Sequence, residues 1–140
     1  MRNFRTVNIM AEYRISAKRE EVVEVANQNA ISFLGADGPR VLSTPHMIGF
    51  MERTCRNLVL EMLDPGYDSV GTHVNVAHCA AAPLGSTVVF EAELLAVNKM
   101  RAEFRVSAKL GDRVVGEGTH QRAVIDVQRF AVKVKDENAQ

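Results

Sequence analysis

The sequence contains no tryptophan, and phenylalanine and tyrosine together make up only 6% of its 140 residues. Its core must therefore be built from aliphatic side chains, chiefly those of Val, Ala, Leu and Met. A chain of this length is enough for one globular domain and too short for two. We therefore expect a single domain that spans residues 1–140.

Net charge is also missing, because 17 Lys and Arg residues balance 17 Asp and Glu residues. This balance gives no electrostatic reason to expect nucleic acid or an anionic membrane surface as the main partner. It also leaves little charge repulsion against self-association, so that an oligomer is compatible with the composition.

Two further absences concern the compartment of the protein. The two cysteines, Cys55 and Cys79, have neither the number nor the spacing of a disulfide framework or a metal site. No apolar run approaches the ~20 residues of a membrane span, and residues 1–6 lack the apolar stretch of a signal peptide. We expect a soluble protein of a reducing cytoplasm.

The strongest periodic pattern predicts one long amphipathic helix. Ser43-Thr44-Pro45 combines a capping hydroxyl with a proline suited to the first helical position, and Asp64-Pro65-Gly66 ends the pattern. Its apolar side chains fall in one arc of roughly 160° on the helical wheel. They are Met47, Ile48, Phe50, Met51, Cys55, Leu58, Val59, Met62 and Leu63.

After the helix, the apolar period changes from 3.6 to 2, which predicts four strands at residues 70–79, 87–97, 101–110 and 113–126. Turn signals at Asn98-Lys99 and Gly111-Asp112 make the later connections hairpins. In the first strand, alternation puts Val74, Val76 and His78 on one face and Gly71 on the other.

The two ends of the chain give weaker patterns. Residues 6–15 are predicted to form a first strand and residues 17–30 a short helix, followed by a turn-rich, lid-like loop at 33–39. Asp126 is placed to cap a short terminal helix, and residues 136–140 are expected to be frayed.

An antiparallel sheet with one apolar face needs an element that covers this face, and the long helix is suited to do so. The pattern therefore predicts an α+β protein with the hot-dog fold, an antiparallel sheet wrapped around one central helix. Such folds usually complete both the sheet and the site by dimerising, so we expect a homodimer, with a tetramer as a further option.

Glu52 is the first residue that suggests chemistry. It falls at about 140° on the wheel, inside the edge of the apolar arc, whereas Arg53, Arg56 and Glu61 fall outside it. A buried carboxylate needs a partner because its desolvation is costly. The alternative is a helix-edge residue that reaches solvent or pairs with Arg56.

His78 and Thr44 complete a set of polar residues of the type used in acyl transfer. His78 shares a strand face with valines and should point toward the helix, either as a hydrogen-bonded core residue or as a catalytic base. Thr44 either caps the helix or presents its hydroxyl where the helix N-terminus stabilises an oxyanion. With Glu52 they form a hydroxyl–carboxylate–imidazole set.

The remaining candidates are weaker. His73, His78 and His120 match no metal-ligand spacing, so no metal is expected. Cys55 is most simply a small core residue. Arg122 can either contact a substrate or pair with an acidic residue, and the sequence does not distinguish the two.

Three ordered segments resemble the fluoroacetyl-CoA thioesterase family. They read VLSTPHMIGFMERTC at 41–55, VGTHVNVAHCAAAPLG at 70–85 and GEGTHQR at 116–122. The resemblance implies a homodimeric hot-dog hydrolase of acyl-CoA thioesters. No metal or redox cofactor is implied, and CoA is part of the substrate. The resemblance assigns the catalytic roles to Thr44, Glu52 and His78, a backbone contact with the acyl group to Gly71, and a position near the site to Arg122.

The loop before the helix departs from the fluoroacetyl-specific member, where phenylalanines form a lid over a small acyl pocket. Here the loop reads LGADGPR at 34–40, with Phe33 as the only nearby aromatic residue. The expectation is a looser loop and hydrolysis of acyl-CoA in the broader sense. Two alternatives stay open: a non-hydrolytic acyl-CoA or acyl-carrier binding module, and a hydratase or dehydratase, which hot-dog folds also support.

Overall fold

The computed structural model describes residues 13–138, which form one five-stranded antiparallel sheet and two helices. The strand predicted at residues 6–15 lies mostly outside the described residues, and residues 13–15 are not in a strand. In chain order the elements are β1 Lys18–Glu24, a 3-10 turn Asn27–Asn29, α1 Thr44–Leu60, β2 Tyr67–His78, β3 Thr87–Asn98, β4 Arg101–Leu110, β5 Arg113–Asp126 and α2 Val127–Asn138.

The helix predicted at residues 17–30 is wrong, because Lys18–Glu24 forms strand β1 and only a 3-10 turn follows it in this segment. The strand pairs antiparallel with β3 from Lys18 opposite Glu93 to Glu24 opposite Thr87. Its side chains alternate between exposed and half-buried, as in a strand packed on one face. Pairing with the edge of a long strand has overridden the helix propensity of a glutamate-rich segment.

Helix α1 confirms the main helix prediction, and it covers one face of the sheet. Ser43 is its N-cap, with the side-chain oxygen accepting a hydrogen bond from the His46 N–H, and Pro45 follows in the first turn. The predicted apolar arc is the buried one, since Met47, Met51 and Leu58 are at most 3% exposed. These side chains share the core with aliphatic residues of the sheet and with two buried aromatic residues, Phe90 and Phe104.

The strand order is β1-β3-β4-β5-β2, so that β1 and β2 form the two edges. The bounds of β4 and β5 are those predicted from the alternating pattern. Buried residues on β4 are Ala102, Phe104, Val106 and Ala108, which are the residues predicted to face inward. This order places β2 beside β5, so that Gly71 lies opposite Arg122 in the ladder.

Strand β2 contains a bulge that strict alternation does not predict. Gly71 pairs with Arg122 and His73 pairs with Gln121, which leaves Thr72 without a partner in the ladder. The extra residue reverses the alternation, so that Ser69 and Gly71 share the inner face with His78. The predicted placement of Gly71 on the face opposite His78 is therefore wrong.

Helix α2 confirms the predicted terminal helix and its cap, because Asp126 Oδ1 accepts a hydrogen bond of 3.1 Å from the Arg129 N–H. The helix runs to Asn138, so residues 136–138 of the predicted frayed tail are helical, and the last two residues lie outside the described part. No helix among the described residues is long and apolar enough to span a membrane.

Glu21 ties edge strand β1 to helix α1. Its carboxylate is 12% exposed and accepts hydrogen bonds from Arg19 Nε (2.9 Å), Arg53 Nε (3.0 Å) and Asn57 Nδ2 (2.7 Å). Burial alone would raise the pKa of Glu21, but the hydrogen bonds from Asn57, Arg19 and Arg53 outweigh it and lower the pKa below 4.5.

Because the folded pKa of Glu21 lies below its unfolded value, its contribution to stability is complete above pH 4.5 and disappears as the pH falls through the folded value. Glu21→Gln should lower the free energy of unfolding at pH 7 by about 1–2 kcal/mol and weaken its dependence on acidic pH. Urea unfolding at several pH values measures both. The exposed Glu20→Gln is the control, and equal behaviour of the two variants would contradict this role of Glu21.

Candidate active site

Thr44 and His78 meet where the N-terminus of α1 approaches the end of β2. Thr44 Oγ1 lies 2.7 Å from His78 Nδ1, which confirms that the imidazole points toward the helix. The two residues line an open depression together with Val41, Cys79, Ala80 and Ala81. Since Ser43 is the N-cap, the Thr44 hydroxyl is free of the capping role that the sequence allows.

The first turn of α1 offers fewer free amides than a typical helix N-terminus. Pro45 has no N–H, the Ser43 N–H donates to the Asn29 carbonyl, and the His46 N–H donates to Ser43 Oγ. The Thr44 N–H is the amide of this turn that remains. The helix therefore provides one backbone donor for an oxyanion rather than a group of them.

Glu52 lies eight residues after Thr44 on α1, at the edge of the core. Its Oε2 is 3.6 Å from Arg122 Nη1 and 3.8 Å from His120 Nε2, and its side chain is 41% exposed. Pairing with Arg56 does not occur, because Arg56 forms a 2.6 Å ion pair with Asp68. One side of the Glu52 carboxylate thus faces a buried cation while the residue remains accessible from outside.

Gly71 provides the space that the Glu52 carboxylate occupies. A Cβ atom at Gly71 would overlap Glu52 Oε2 and would come within 3.1 Å of His120 Cε1. The bulge of β2 turns this position toward the helix. The absence of a side chain at Gly71 therefore has a steric reason that can be read from the structure.

Arg122 is 5% exposed, and the structure supports the second of its two interpretations, pairing with an acidic residue. Its Nε donates to Ser69 Oγ (2.7 Å), its Nη2 to the Ser69 carbonyl (2.8 Å), and its Nη1 is 3.1 Å from His120 Nε2. Burial lowers the pKa of Arg122, and the nearby Glu52 carboxylate opposes this effect.

His120 is the residue that the sequence analysis missed, since it was considered only as a metal ligand. It is 1% exposed and lies two residues before Arg122 on β5. Alternation along β5 puts both residues on the inner face with Val124, and this pattern was a usable signal.

The structure does not bring all three predicted catalytic residues together within one chain. Thr44 and Glu52 are eight residues apart on α1, which corresponds to ~12 Å along the helix axis. Thr44 contacts His78, whereas Glu52 contacts Arg122 and lies over Gly71. The predicted set is thus divided into two clusters.

The cysteines and the loop before α1 are peripheral to these clusters. Burial raises the pKa of Cys55 to about 12, so its thiol is an inert part of the core, as predicted. Phe33 is 80% exposed at the tip of the loop. Arg40 holds the base of the loop by donating hydrogen bonds to Asn27 Oδ1 and to the carbonyls of Asn27, Ala30 and Ile31.

Comparison with known proteins identifies thioesterases that are similar to this chain. The protein is 44% identical to the fluoroacetyl-CoA thioesterase of Streptantibioticus cattleyicolor over 100 residues, 71% of this chain and 72% of that protein. A structure of a mutant of the fluoroacetyl-CoA thioesterase FlK in complex with acetyl-CoA has a TM-score of 0.81 at 34% identity and covers 89% of this chain and 98% of that chain.

A hot-dog-like protein from Thermanaerovibrio acidaminovorans has a TM-score of 0.83 at 20% identity, covers 93% of this chain and 96% of its own, and confirms the hot-dog fold. The family described as fluoroacetyl-CoA-specific thioesterase matches residues 25–128, which include both clusters. With three quarters of its length matched, the chain belongs to the fluoroacetyl-CoA-specific thioesterase family.

Proposed function

We propose that the protein hydrolyses an acyl-CoA thioester to the free acid and CoA. The observation that carries this proposal is the 2.7 Å contact between Thr44 Oγ1 and His78 Nδ1 in an open depression at the start of α1. The family of the chain and the thioesterases that it resembles support the same activity. Free Cys55 and Cys79 agree with a cytoplasmic location.

The proposed chemistry uses only side chains of this protein and water. With its proton on Nε2, His78 accepts the proton of the Thr44 hydroxyl, or of a water in the same position, at Nδ1. The oxygen attacks the thioester carbonyl, and the resulting oxyanion accepts a hydrogen bond from the Thr44 N–H. When the intermediate collapses, the C–S bond breaks and the CoA thiolate takes the proton from His78. If Thr44 is the nucleophile, a water molecule then hydrolyses the acyl-enzyme and frees the Thr44 hydroxyl.

We further propose a homodimer in which the free edge of β2 pairs with a second copy. Residues 69–78 carry no Lys, Arg, Asp or Glu, whereas the other edge strand, β1, is rich in charge. Long uncharged edges are rarely left open in stable proteins, because they invite pairing with other chains. Val74, on the inner face near this edge, is 41% exposed.

A dimer of this kind would join the two clusters. With a two-fold axis through Asn75, Val74 lies opposite Val76 of the second copy, and both residues belong to the inner face. Because Thr72 is the extra residue of the bulge, two ladder positions separate the axis from Gly71 on one side and from His78 on the other. His78 then lies opposite Gly71 of the second copy, with both residues facing the same side of the sheet. Since Glu52 lies over Gly71, each site would combine Thr44 and His78 from one protomer with Glu52 from the other. There the Glu52 carboxylate orients His78 or activates the attacking group.

The two alternative functions make less use of these contacts. A binding module for acyl-CoA or acyl carriers would not require a hydroxyl hydrogen-bonded to an imidazole. A hydratase or dehydratase acts at Cα and Cβ of the acyl group, where an inward Asp/His pair is the usual arrangement. Here the side chain in contact with His78 is that of Thr44, whose hydroxyl favours chemistry at the carbonyl carbon.

The first test is release of free CoA thiol from a panel of short, branched, aromatic and halogenated acyl-CoAs. We expect turnover of several panel members, because the loop before α1 has no phenylalanine pair and its Phe33 is exposed. His78→Ala and Glu52→Gln should each lower kcat by ~100-fold or more. Glu117→Gln, an exposed carboxylate on β5, is the matched control.

A folded protein that binds acyl-CoA without hydrolysing any panel member would favour the binding module. Activity confined to fluoroacetyl-CoA would refute the broader substrate range but would leave the thioesterase assignment intact.

Mixing two inactive variants tests whether the site spans two protomers. If it does, co-expression of His78→Ala with Glu52→Gln gives heterodimers that contain one intact site and one doubly mutated site. Random pairing should then restore about a quarter of wild-type activity. If each site lies within a single protomer, every site carries one lesion and the mixture stays as inactive as the separate variants.

Gly71→Ala should lower the activity of the enzyme without unfolding it. The new Cβ would displace the Glu52 carboxylate, which is the mobile end of a side chain, so that the fold has room to adjust. We expect kcat to fall by about 10- to 100-fold with little change in melting temperature. In the Glu52→Gln background, the same substitution should cost no further activity, and an additive loss would show that Gly71 acts independently of Glu52.

A further inference from the structure

Three polar side chains are buried under the inner face of the sheet, next to Glu52. Ser69, His120 and Arg122 are 4%, 1% and 5% exposed. Buried polar groups of this kind are costly unless each one is satisfied, and a satisfied network has a defined geometry. The proton positions in this network can be assigned from the chemistry of its members.

The backbone carbonyl of His73 can only accept a hydrogen bond. His120 Nδ1 lies 2.8 Å from this oxygen and must therefore carry a proton. At the other side of the ring, Nε2 lies 3.1 Å from Arg122 Nη1, which can only donate. Nε2 must therefore be unprotonated, and His120 is neutral with its proton on Nδ1.

Arg122 is fixed by this acceptor and by Ser69. The two Ser69 contacts hold Nε and Nη2, and His120 holds one of the two hydrogens on Nη1. The second hydrogen of Nη1 remains for Glu52, whose Oε2 is 3.6 Å away. The imidazole itself stacks against Phe104 from β4, with ring centroids 6.3 Å apart, so that its own position is defined by packing.

We propose that His120 is a positioning residue for Glu52: its neutral imidazole directs Arg122 Nη1 toward Oε2 and thereby holds the carboxylate over Gly71. This inference rests on the proposed function, in which Glu52 takes part in the reaction. His120 does not contact the reacting atoms and acts through Arg122.

Charge on His120 would disrupt this arrangement, because protonated Nε2 would face the guanidinium. The groups around the imidazole are Arg122 on its own strand, Glu52 from α1 and His73 from β2. Burial, followed by the charge of Arg122, lowers the pKa of His120 below 6.5, and its hydrogen bond to the His73 carbonyl opposes the shift only in part. The neutral form is therefore favoured in the folded protein.

The first experiment needs no turnover. Side-chain 15N NMR of the full-length protein should show that one of its four histidines keeps the neutral Nδ1–H form below pH 6.5, and that this signal is lost in His120→Gln. In His120→Phe, the Glu52 carboxyl 13C resonance, identified by its loss in Glu52→Gln, should shift. It should return toward the wild-type position in His120→Gln, whose amide oxygen can accept from Arg122.

Kinetics on the acyl-CoA that the wild type hydrolyses fastest give the second readout. His120→Phe keeps the stacking but removes the acceptor, so kcat should fall by about 10- to 100-fold while KM changes little. His120→Gln should recover most of this loss, and His120→Phe should have no effect in the Glu52→Gln background. If His120→Phe fails to fold, Ser69→Ala tests the same support of Arg122.

Other outcomes would overturn the inference. An unchanged Glu52 resonance in His120→Phe, or equal losses of kcat and melting temperature in the Phe and Gln variants, would leave His120 with a purely structural role. If no acyl-CoA is hydrolysed by the wild type, the proposed function fails, whereas the NMR experiments still decide whether His120 holds Arg122 against Glu52.

Discussion

One extra residue in β2, Thr72, determines which side chains of this strand face helix α1. Without the bulge, a strand that directs His78 inward would direct Ser69 and Gly71 outward. Arg122 would then lose both contacts to Ser69, and Glu52 would lose the space above Gly71. Both clusters of the candidate site therefore depend on a local change in strand alternation.

The bulge makes a buried arginine possible in a protein of modest size. A guanidinium with little solvent exposure is strongly destabilising unless its donors are satisfied and its charge is compensated. Here Ser69 and His120 satisfy the donors, and Glu52 supplies the opposite charge at the edge of the core. The same contacts that make the burial of Arg122 tolerable also restrict where the Glu52 carboxylate can lie.

Sequence patterns predicted the elements whose periodicity is set by one buried face. The long helix and the strand at 101–110 were predicted correctly, because the helix buries one apolar arc and the strand alternates between core and surface. The strand at 113–126 was also predicted correctly, and the turn signal at Gly111-Asp112 marks its start. The segment at 17–30 was mistaken for a helix, since its strand structure depends on pairing with β3, which is distant in sequence.

In the candidate site, too, features set by helix or strand periodicity could be predicted from the sequence, whereas contacts between distant elements could not. His78 and its orientation toward α1 follow from alternation, and the structure adds its contact with Thr44. The separation of Glu52 from Thr44 follows from helix geometry, but its partner Arg122 does not, because that contact joins α1 to β5. The position of Gly71 required knowledge of the bulge. An isolated glycine in a strand is a signal for one, but it does not show which residue is the extra one.

The hydrogen bonds of Arg40 affect how the amino-acid sequence of the loop before α1 can change during evolution. These hydrogen bonds fix the base of the loop, while Phe33 at the tip contributes nothing to the core. Substitutions of exposed side chains such as Phe33 therefore carry little folding cost, so these positions can change while the sheet and helix stay the same. Gly35 and Gly38 are the exceptions, because Gly35 has a φ of +112° and a Cβ at Gly38 would overlap the Leu34 carbonyl. Because Arg40 fixes the base of the loop, its exposed side chains can change during evolution with little effect on the stability of the domain.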